Sequence, residues 1–214
     1  LHLYFILPNS TKSLVVTCIH VHVCNMKADT NNLTGKLLIA MPGMGDPRFE
    51  YALVYICAHS GDGAMGLIIN KPNPKLAFKT LITQLKIKIT DSIVDTAIYF
   101  GGPVEPMRGF ILHSSDYPGG ADTLNIDKSF SMTATPDILR DMACGNGPDI
   151  RILALGYAGW AAGQLEAELM QNGWLICDAS HELVFDQDNS NKWAAALATL
   201  GVDPSMLSSQ AGRA

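Results

Sequence analysis

The stretch Gly156-Tyr-Ala-Gly-Trp-Ala-Ala-Gly-Gln-Leu-Glu-Ala-Glu-Leu169 decides how the fold is interpreted, and the apolar run 150–155 leads into it. The run is typical of a buried strand, and the stretch after it has the spacing of a helix. The predicted helix has an apolar and a mixed face, formed by Ala162, Leu165 and Leu169 and by Trp160, Gln164 and Glu168. Gly156, Gly159 and Gly163 mark the turn, where the absence of a side chain lets the backbone approach another strand or a ligand.

The composition limits the classes of protein to which the chain can belong. Its 214 residues fit one domain, or one domain with an extension, and 48% apolar residues predict a sizeable core. The 15 Lys and Arg residues against 20 acids disfavour a nucleic-acid binder, which usually shows a basic face. The five scattered cysteines suit a reducing compartment. No apolar run reaches the ~18 residues of a membrane-spanning helix, so we expect no membrane segment.

The first 25 residues differ in character from the rest of the chain. They lack the features of a secretory signal, because Pro8 interrupts the first apolar run and Lys12 is the only basic residue. We therefore expect residues 1–25 to be an upstream extension, with Met26 as the natural start and residues 26–32 as a polar leader.

A metal site is the alternative interpretation of this segment. His20, His22 and Cys24 alternate, so on a strand they would share one face. Zinc sites usually need a fourth ligand and closer pairing of Cys or His than these residues offer. The rest of the chain has no metal-ligand spacing, and the sequence predicts neither a metal nor a cofactor.

Short apolar runs predict strands in the first half of the chain. The runs 37–41, 51–58 and 64–70 are the clearest, and Ser60-Gly-Asp-Gly63 predicts a hairpin turn between the last two. Further strands are expected in the remaining apolar runs, at 97–100, 109–113, 123–126, 130–133 and 174–177.

Helices are expected between and after these strands, at residues 76–85, 136–145 and 189–200. The segment Gly101-Gly-Pro-Val-Glu-Pro106 is too rich in Gly and Pro for regular structure. Because strands cluster early and helices are interspersed later, the order argues for an α+β fold rather than regular βαβ alternation. One compact domain over residues 33–214 accounts for the pattern.

Several blocks in a fixed order carry a resemblance to a known family. They are Leu37-Leu-Ile-Ala-Met-Pro42, Gly63-Ala-Met-Gly-Leu-Ile-Ile-Asn70, Gly101-Gly-Pro-Val104, Arg108-Gly-Phe-Ile-Leu-His113, Leu155-Gly-Tyr-Ala-Gly-Trp160 and Gly201-Val-Asp-Pro204. The chain resembles the AlgH/YqgE family of bacterial proteins over residues 33–214. The resemblance implies an α+β fold with coiled, bifurcated, mostly antiparallel β-sheets and packed helices in a cytosolic protein. It brings no known catalytic mechanism, and some members carry the label of transcriptional regulator.

The candidate ligand-binding residues lie around the glycine-rich segments. They are Gly101, Gly102, Arg108, Gly156, Tyr157, Gly159, Trp160 and Gln164. The glycines after residue 155 have two interpretations, an anion site at the N-terminus of the predicted helix or close packing without a ligand. Arg108 binds an anion or forms an ion pair with Glu105. Gln164, beside Trp160 and Tyr157, is placed to orient a polar ligand.

Other polar residues are expected to have structural roles. Glu166 and Glu168 point in different directions on the predicted helix and are expected on a solvated face. Cys57 and His59 form a nucleophile pair only if they touch, and Cys57 within an apolar run is expected to be a buried hydrophobe.

The function that the sequence favours is a non-enzymatic binding or regulatory module, because no nucleophile and base stand in a recognisable arrangement. Its partner is a small molecule or a protein. The alternative is an enzyme that acts on a phosphorylated or acidic metabolite, with Arg108, the glycine-rich turn and Gln164 forming its pocket. Direct DNA binding is opposed by the acidic balance and by the absence of a helix-turn-helix pattern.

Overall fold

The computed structural model describes residues 32–88, 95–186 and 188–207. The expected extension at 1–25, the leader up to residue 31 and the His20, His22 and Cys24 alternative lie outside the described residues. Within the described ranges, no helix combines the length and the apolar character that crossing a membrane requires.

The described residues form ten strands and four helices. The strands are β1 (Lys36–Ala40), β2 (Leu53–Ser60), β3 (Gly63–Ile68), β4 (Pro72–Ala77), β5 (Ala97–Phe100), β6 (Val104–Ser114), β7 (Thr123–Asn125), β8 (Phe130–Thr133), β9 (Arg151–Ala161) and β10 (Trp174–Asp178). The helices are α1 (Phe78–Gln84), α2 (Pro136–Cys144), α3 (Gln164–Met170) and α4 (Lys192–Thr199). Shorter helical turns lie at Pro47–Phe49, Glu182–Asp186 and Pro204–Met206.

The strands form one ten-stranded sheet in the order β10-β1-β2-β3-β9-β6-β8-β7, with β4 and β5 branching from it. The pairing of β5 with β9 is parallel, whereas the other described pairings are antiparallel. The predicted α+β fold, with a coiled and mostly antiparallel sheet, packed helices and one compact domain, is therefore confirmed.

Strand β9 joins the two parts of this sheet. Its first half pairs with β5 and β6, and its last four residues, 158–161, pair with β3. The eleven residues of β9 are enough for it to pair with strands of both parts, so the sheet divides along this strand. Any feature that bends β9 therefore sets how the two halves of the molecule meet.

The core consists of three clusters of buried residues, and β9 contributes to each of them. Ile152 and Ala154 face the first cluster, which α4 covers. Leu153 and Leu155 face the second, under α1 and α2. The third, which α3 covers, receives the last residues of the strand, including Trp160. Each helix buries its apolar side against one of these clusters, as amphipathic helices do.

The alternation of side chains along β9 shifts by one residue at Gly156. Residues 152 and 154 pack in the first cluster, and Tyr157 packs against that same cluster although it is an odd number of positions away. A regular strand would place it on the opposite face. The left-handed backbone of Gly156, with φ of 72°, produces the shift.

The predicted helix start was wrong. Trp160 lies in β9, and the helix begins at Gln164 after Gly163 has turned the chain with φ of 74°. The reason is pairing, because residues 159–161 lie opposite Met65, Ala64 and Gly63 of β3. Tertiary pairing outweighs the local helical spacing at these positions.

Two other segments also differ from the prediction. No strand was expected between residue 70 and the predicted helix at 76–85, yet Pro72–Ala77 forms β4. Proline is tolerated there because β4 pairs on one side alone, with β5. The segment expected to be irregular at 101–106 enters β6 at Val104, whereas the hairpin at 60–63 and the helix after Thr135 are confirmed.

Candidate functional site

The pairing between β6 and β9 contains a wide bulge. Val104 pairs with Tyr157 and Gly109 pairs with Leu155, so residues 105–108 of β6 lie opposite Gly156 alone. We call this segment the 105–108 bulge. Bulges turn side chains away from the regular sheet and occur often beside functional sites.

Gly156 makes the bulge possible. A Cβ at this position would lie 3.0 Å from the carbonyl oxygen of Val104 and 3.1 Å from Cα of Pro106, and closer still to the carbonyl oxygen of Gly102. A Cβ on Gly102 would overlap the backbone of Tyr157. These glycines therefore allow backbones to touch each other, and they leave no room for a ligand between the strands.

The bulge presents a charged and aromatic group of side chains, which we call the Arg108 cluster: Glu105, Arg108, Phe110 and Tyr157. Arg108 Nη1 lies 3.2 Å from Glu105 Oε2, and the two side chains are 41% and 48% exposed. The guanidinium carbon lies 5.1 Å from the centre of the Phe110 ring, within the range of a cation–π contact. The rings of Phe110 and Tyr157 meet edge to face at 5.6 Å. The arginine is thus held over an aromatic base and remains open to solvent.

The surroundings of Tyr157 raise the pKa of its hydroxyl. Burial raises the pKa of Tyr157, the nearby Glu105 carboxylate adds to the rise, and Arg108 opposes it. A phenol with a raised pKa carries its proton at neutral pH and remains a hydrogen-bond donor. The cluster therefore offers two kinds of donor, a guanidinium and a phenol, on the same side of the bulge.

The structure brings together six of the eight predicted site residues and separates two from them. Gly101, Gly102, Gly156, Tyr157 and Gly159 form or line the junction, and Arg108 stands on the bulge beside it. Of the two interpretations of the glycines after residue 155, an anion site at a helix N-terminus does not apply to Gly156 and Gly159, because both lie within β9.

Trp160 and Gln164 belong to a different group, the Glu168 cluster, which also contains Trp174. The indole N–H groups of Trp160 and Trp174 donate to the same carboxylate oxygen, Glu168 Oε2, at 2.9 and 2.8 Å. Gln164 Nε2 donates to the other oxygen at 2.8 Å. The expected solvated face was therefore wrong for Glu168, whose carboxylate joins α3 to β9 and β10. Both polar atoms of the Gln164 side chain are occupied, because Oε1 accepts from the backbone N–H of Ala161 and Nε2 donates to Glu168.

His59 and Glu166 form a second pair that the sequence did not predict. The backbone N–H of Leu33 donates to His59 Nδ1 at 3.0 Å, so that nitrogen carries no proton. Nε2 then donates to Glu166 Oε1 at 2.8 Å. The backbone N–H of Glu166 and the His59 ring lower the pKa of the Glu166 carboxyl. Both ring nitrogens are engaged, so His59 links the backbone at Leu33 to α3.

His113 is wholly buried and also has both ring nitrogens bonded. Its Nδ1 donates to the Ser114 carbonyl at 2.8 Å, and Nε2 then accepts from the Thr133 hydroxyl at 3.0 Å. The Thr133 hydroxyl also lies 2.8 Å from that of Thr123. Burial lowers the pKa of His113. The neutral imidazole therefore fixes β6 to β8 rather than serving an open site.

Cys57 behaves as predicted. It is 1% exposed, and burial raises the pKa of its thiol far above the usual value. A nucleophilic cysteine needs the opposite shift and access to solvent. The prediction that Cys57 is a buried hydrophobe is confirmed.

Phe110 and Glu168 were missed as members of these clusters, whereas Glu105 was predicted as one of the two alternatives for Arg108 and does form the ion pair. The Glu105-Pro106 pair after two glycines indicates an interrupted strand, but it does not predict how many residues bulge out. Phe110 was predicted only as part of a strand, and it lies buried in the first core cluster. Glu168 shares α3 with Gln164 at a spacing of four, which is the signal that could have linked them.

The chain is thus an α+β protein whose sheet divides along a central strand, with an arginine and aromatic side chains at a bulge beside that strand. The model of the AlgH-like family, DUF179, matches residues 37–205, and the chain belongs to this family. The resemblance found in the sequence is thereby confirmed.

Relatives in other bacteria match nearly their whole length. A UPF0301 protein of Jannaschia sp. (strain CCS1) is 56% identical over 186 residues, which cover 86% of this chain and 97% of that protein. A UPF0301 protein of Rhodospirillum rubrum is 50% identical over 182 residues, or 85% of this chain and 94% of that protein.

Two solved structures are similar in fold. The solution structure of the AlgH protein from Pseudomonas aeruginosa has a TM-score of 0.70 and 40% identity, covering 89% of this chain and all of that chain (100%). The crystal structure of a Corynebacterium diphtheriae protein has a TM-score of 0.62 and 20% identity, covering 82% and 89%. The second shows likeness of fold alone.

Proposed function

We propose that this chain is a non-catalytic binding module of the bacterial cytoplasm and that the Arg108 cluster is the surface that meets its partner. The observation that carries the proposal is the 105–108 bulge, which lifts a charged pair out of the sheet opposite a single glycine. A bulge that only ended the pairing would not need the close backbone packing around Gly156. The close backbone packing thus lies directly opposite the segment that carries the exposed Arg108.

The composition of the cluster supports a protein partner. Arginine and tyrosine are enriched among the residues that contribute most binding energy at protein interfaces. Arg108 is held by Phe110 and Glu105, so it loses less side-chain entropy on binding than a free arginine would. Small-molecule sites are usually concave and bury most of their ligand. Arg108 and Glu105 instead stand about half exposed on a protruding segment.

Three features favour binding over catalysis. The ring nitrogens of His59 and His113 are bonded within the protein, and Cys57 is buried. The alternative enzyme needs Gln164 beside Arg108, but Gln164 bonds to Glu168. At the usual strand rise, Tyr157 lies about 13 Å from the end of β9 at residue 161, which supports treating the Arg108 cluster and the Glu168 cluster as separate sites.

The cytoplasmic location and the regulatory role are parts of the same proposal. The three described cysteines are free, which suits a reducing compartment. The acidic net charge of −5 opposes direct contact with DNA, so a regulatory role would act through another protein.

A site-specific photocrosslinking experiment tests the proposal. A benzoylphenylalanine is introduced in place of Met107, within the bulge, and the protein is irradiated in bacterial cells. We expect a discrete adduct whose yield falls roughly tenfold or more with Arg108→Ala. The matched control is Arg140→Ala, because Asp137 and Arg140 form another exposed ion pair with the same spacing of three residues.

Two results would count against the proposal. One is an adduct that is equally abundant with and without Arg108. The other is a well-folded protein that forms no adduct from position 107 but forms one when the photocrosslinker replaces Arg140 on α2.

A further inference from the structure

We infer that the Arg108 cluster recognises a carboxylate group of its protein partner, and that Glu105 is a resident carboxylate which the partner displaces. The inference rests on the proposed function and names the chemistry of the partner and the competition at the site. Its geometric basis is that Glu105 already occupies Arg108, at 3.2 Å, from within the same bulge.

The position of Glu105 is maintained by unusual backbone. Its φ is 46°, in the left-handed region that residues with a side chain seldom adopt. Such a conformation persists where the surrounding structure holds it, and these positions cluster at ligand-binding and switch sites. Together with the bulge, it places an acid and an arginine three positions apart in contact, an arrangement that a regular strand would not produce.

Arg108 retains donors for a second carboxylate. Among the described residues its side chain makes one hydrogen bond, from Nη1. A guanidinium has five N–H donors in a planar fork that fits two oxygens of a carboxylate. Glu105 therefore occupies the arginine without saturating it, so an incoming carboxylate can bind before the resident one has left.

The charge of the site favours a carboxylate over a phosphate or a nucleic acid. Within the described part of the chain, Arg108 is the one cation that pairs with Glu105. Phosphate groups carry up to two negative charges and are typically met by several basic groups. The net charge of −5 also opposes a polyanion. One arginine beside a phenol suits a single negative charge.

The test uses a capped glutamate, N-acetylglutamate amide, as the probe and follows the labelled protein by two-dimensional NMR. We expect the probe to shift signals from residues 104–110 and 156–159, and the matched capped glutamine to leave them unchanged. Glu105→Gln keeps the size of the side chain and removes its charge. We expect it to bind the probe about 1.5- to 5-fold more tightly, the range of an exposed ion pair. Arg108→Gln should abolish the shifts.

A second variant guards against misfolding of the bulge. Glu105→Gly removes the carboxylate and tolerates a positive φ, so it should also bind the probe more tightly than the parent protein. Inorganic phosphate is titrated in parallel. Equal affinity of the parent and both Glu105 variants would overturn the role of Glu105.

The remaining outcomes distinguish this inference from the proposed function. Tighter binding of phosphate than of the capped glutamate, or no response to either, would overturn the carboxylate inference. An Arg108-dependent photocrosslink that persists in such a case would leave the binding surface in place with a different chemistry. Loss of both the NMR response and the Arg108-dependent photocrosslink would contradict the proposed binding surface as well.

Discussion

Gly156 provides the sharpest test of how the bulge is built. Its φ is 72°, and a Cβ there would meet the backbone of Val104, Pro106 and Gly102. Gly163 has almost the same φ, 74°, and a Cβ there would meet nothing within 4 Å. Substitution of each by alanine therefore separates the cost of left-handed backbone from the cost of the close approach.

The expected magnitudes follow from these two terms. A left-handed conformation costs a residue with a Cβ roughly 1–2 kcal/mol, so Gly163→Ala should lose about that much stability. Gly156→Ala carries the same cost and must also push two strands apart, and overpacking of this kind adds roughly 1–3 kcal/mol. For a chain of this size, ~2–4 °C accompanies each kcal/mol, so we expect melting temperatures to fall by about 5 °C for Gly163→Ala and about 10 °C for Gly156→Ala.

The assay is thermal and urea unfolding of both variants and the parent protein, followed by circular dichroism. A second readout is local, because Gly156→Ala should also weaken binding of the capped glutamate to the Arg108 cluster, whereas Gly163→Ala should leave it unchanged. Equal destabilisation by the two substitutions would refute the argument, since it would mean that the close contact at the bulge contributes nothing.

Two further predictions concern the other clusters. Glu168→Ala leaves the indole N–H groups of Trp160 and Trp174 without their acceptor, and each unsatisfied group costs roughly 1–3 kcal/mol. Calorimetry should show lower stability, and fluorescence should show red-shifted tryptophan emission. The control Asp178→Ala, at an exposed ion pair, should change neither. A blue shift or unchanged stability in Glu168→Ala would contradict the role of Glu168. Burial lowers the pKa of His113 below its ordinary 6.5, so the folded state binds fewer protons and its stability falls as the pH drops through that value. The decrease between about pH 7 and 5 should be smaller in His113→Gln, as measured by urea unfolding, and an identical pH profile would contradict the burial of a neutral ring.

Features set by local sequence were predictable. The turn at residues 60–63 joins two strands because glycine and aspartate favour it there. Helix α2 begins at Pro136 and ends at Cys144, just before Gly145, as proline at the start and glycine after the end indicate. The early clustering of strands was enough to indicate an α+β fold.

Features set by pairing across the chain were not predictable. Residues 159–161 have helical spacing, but they extend β9 because β3 lies beside them. Nothing local to residues 105–108 specifies that all four stand opposite one glycine about fifty positions later. The Glu168 cluster likewise depends on the approach of β10 to α3, which brings Trp174 to a carboxylate on another element.

The candidate site was therefore recovered in part, and for a physical reason. Glycines that touch backbone and glycines that cradle a ligand have the same sequence signature, so Gly101 and Gly102 were found without their role and both interpretations stayed open for Gly156. Arg108 was found with both of its alternatives, and the ion pair with Glu105 is present. The sequence did not indicate that this pair stands on a bulge.

The yield of the photocrosslink from position 107 measures whether the Arg108 cluster is a binding surface. A residue that contributes most of the energy at an interface changes affinity by roughly 2 kcal/mol or more, which is more than tenfold. We predict that Arg108→Ala lowers the adduct yield by about that factor at low partner concentration, whereas Arg140→Ala leaves it unchanged. Equal adduct yields from Arg108→Ala and Arg140→Ala would contradict the role of the Arg108 cluster as the binding surface.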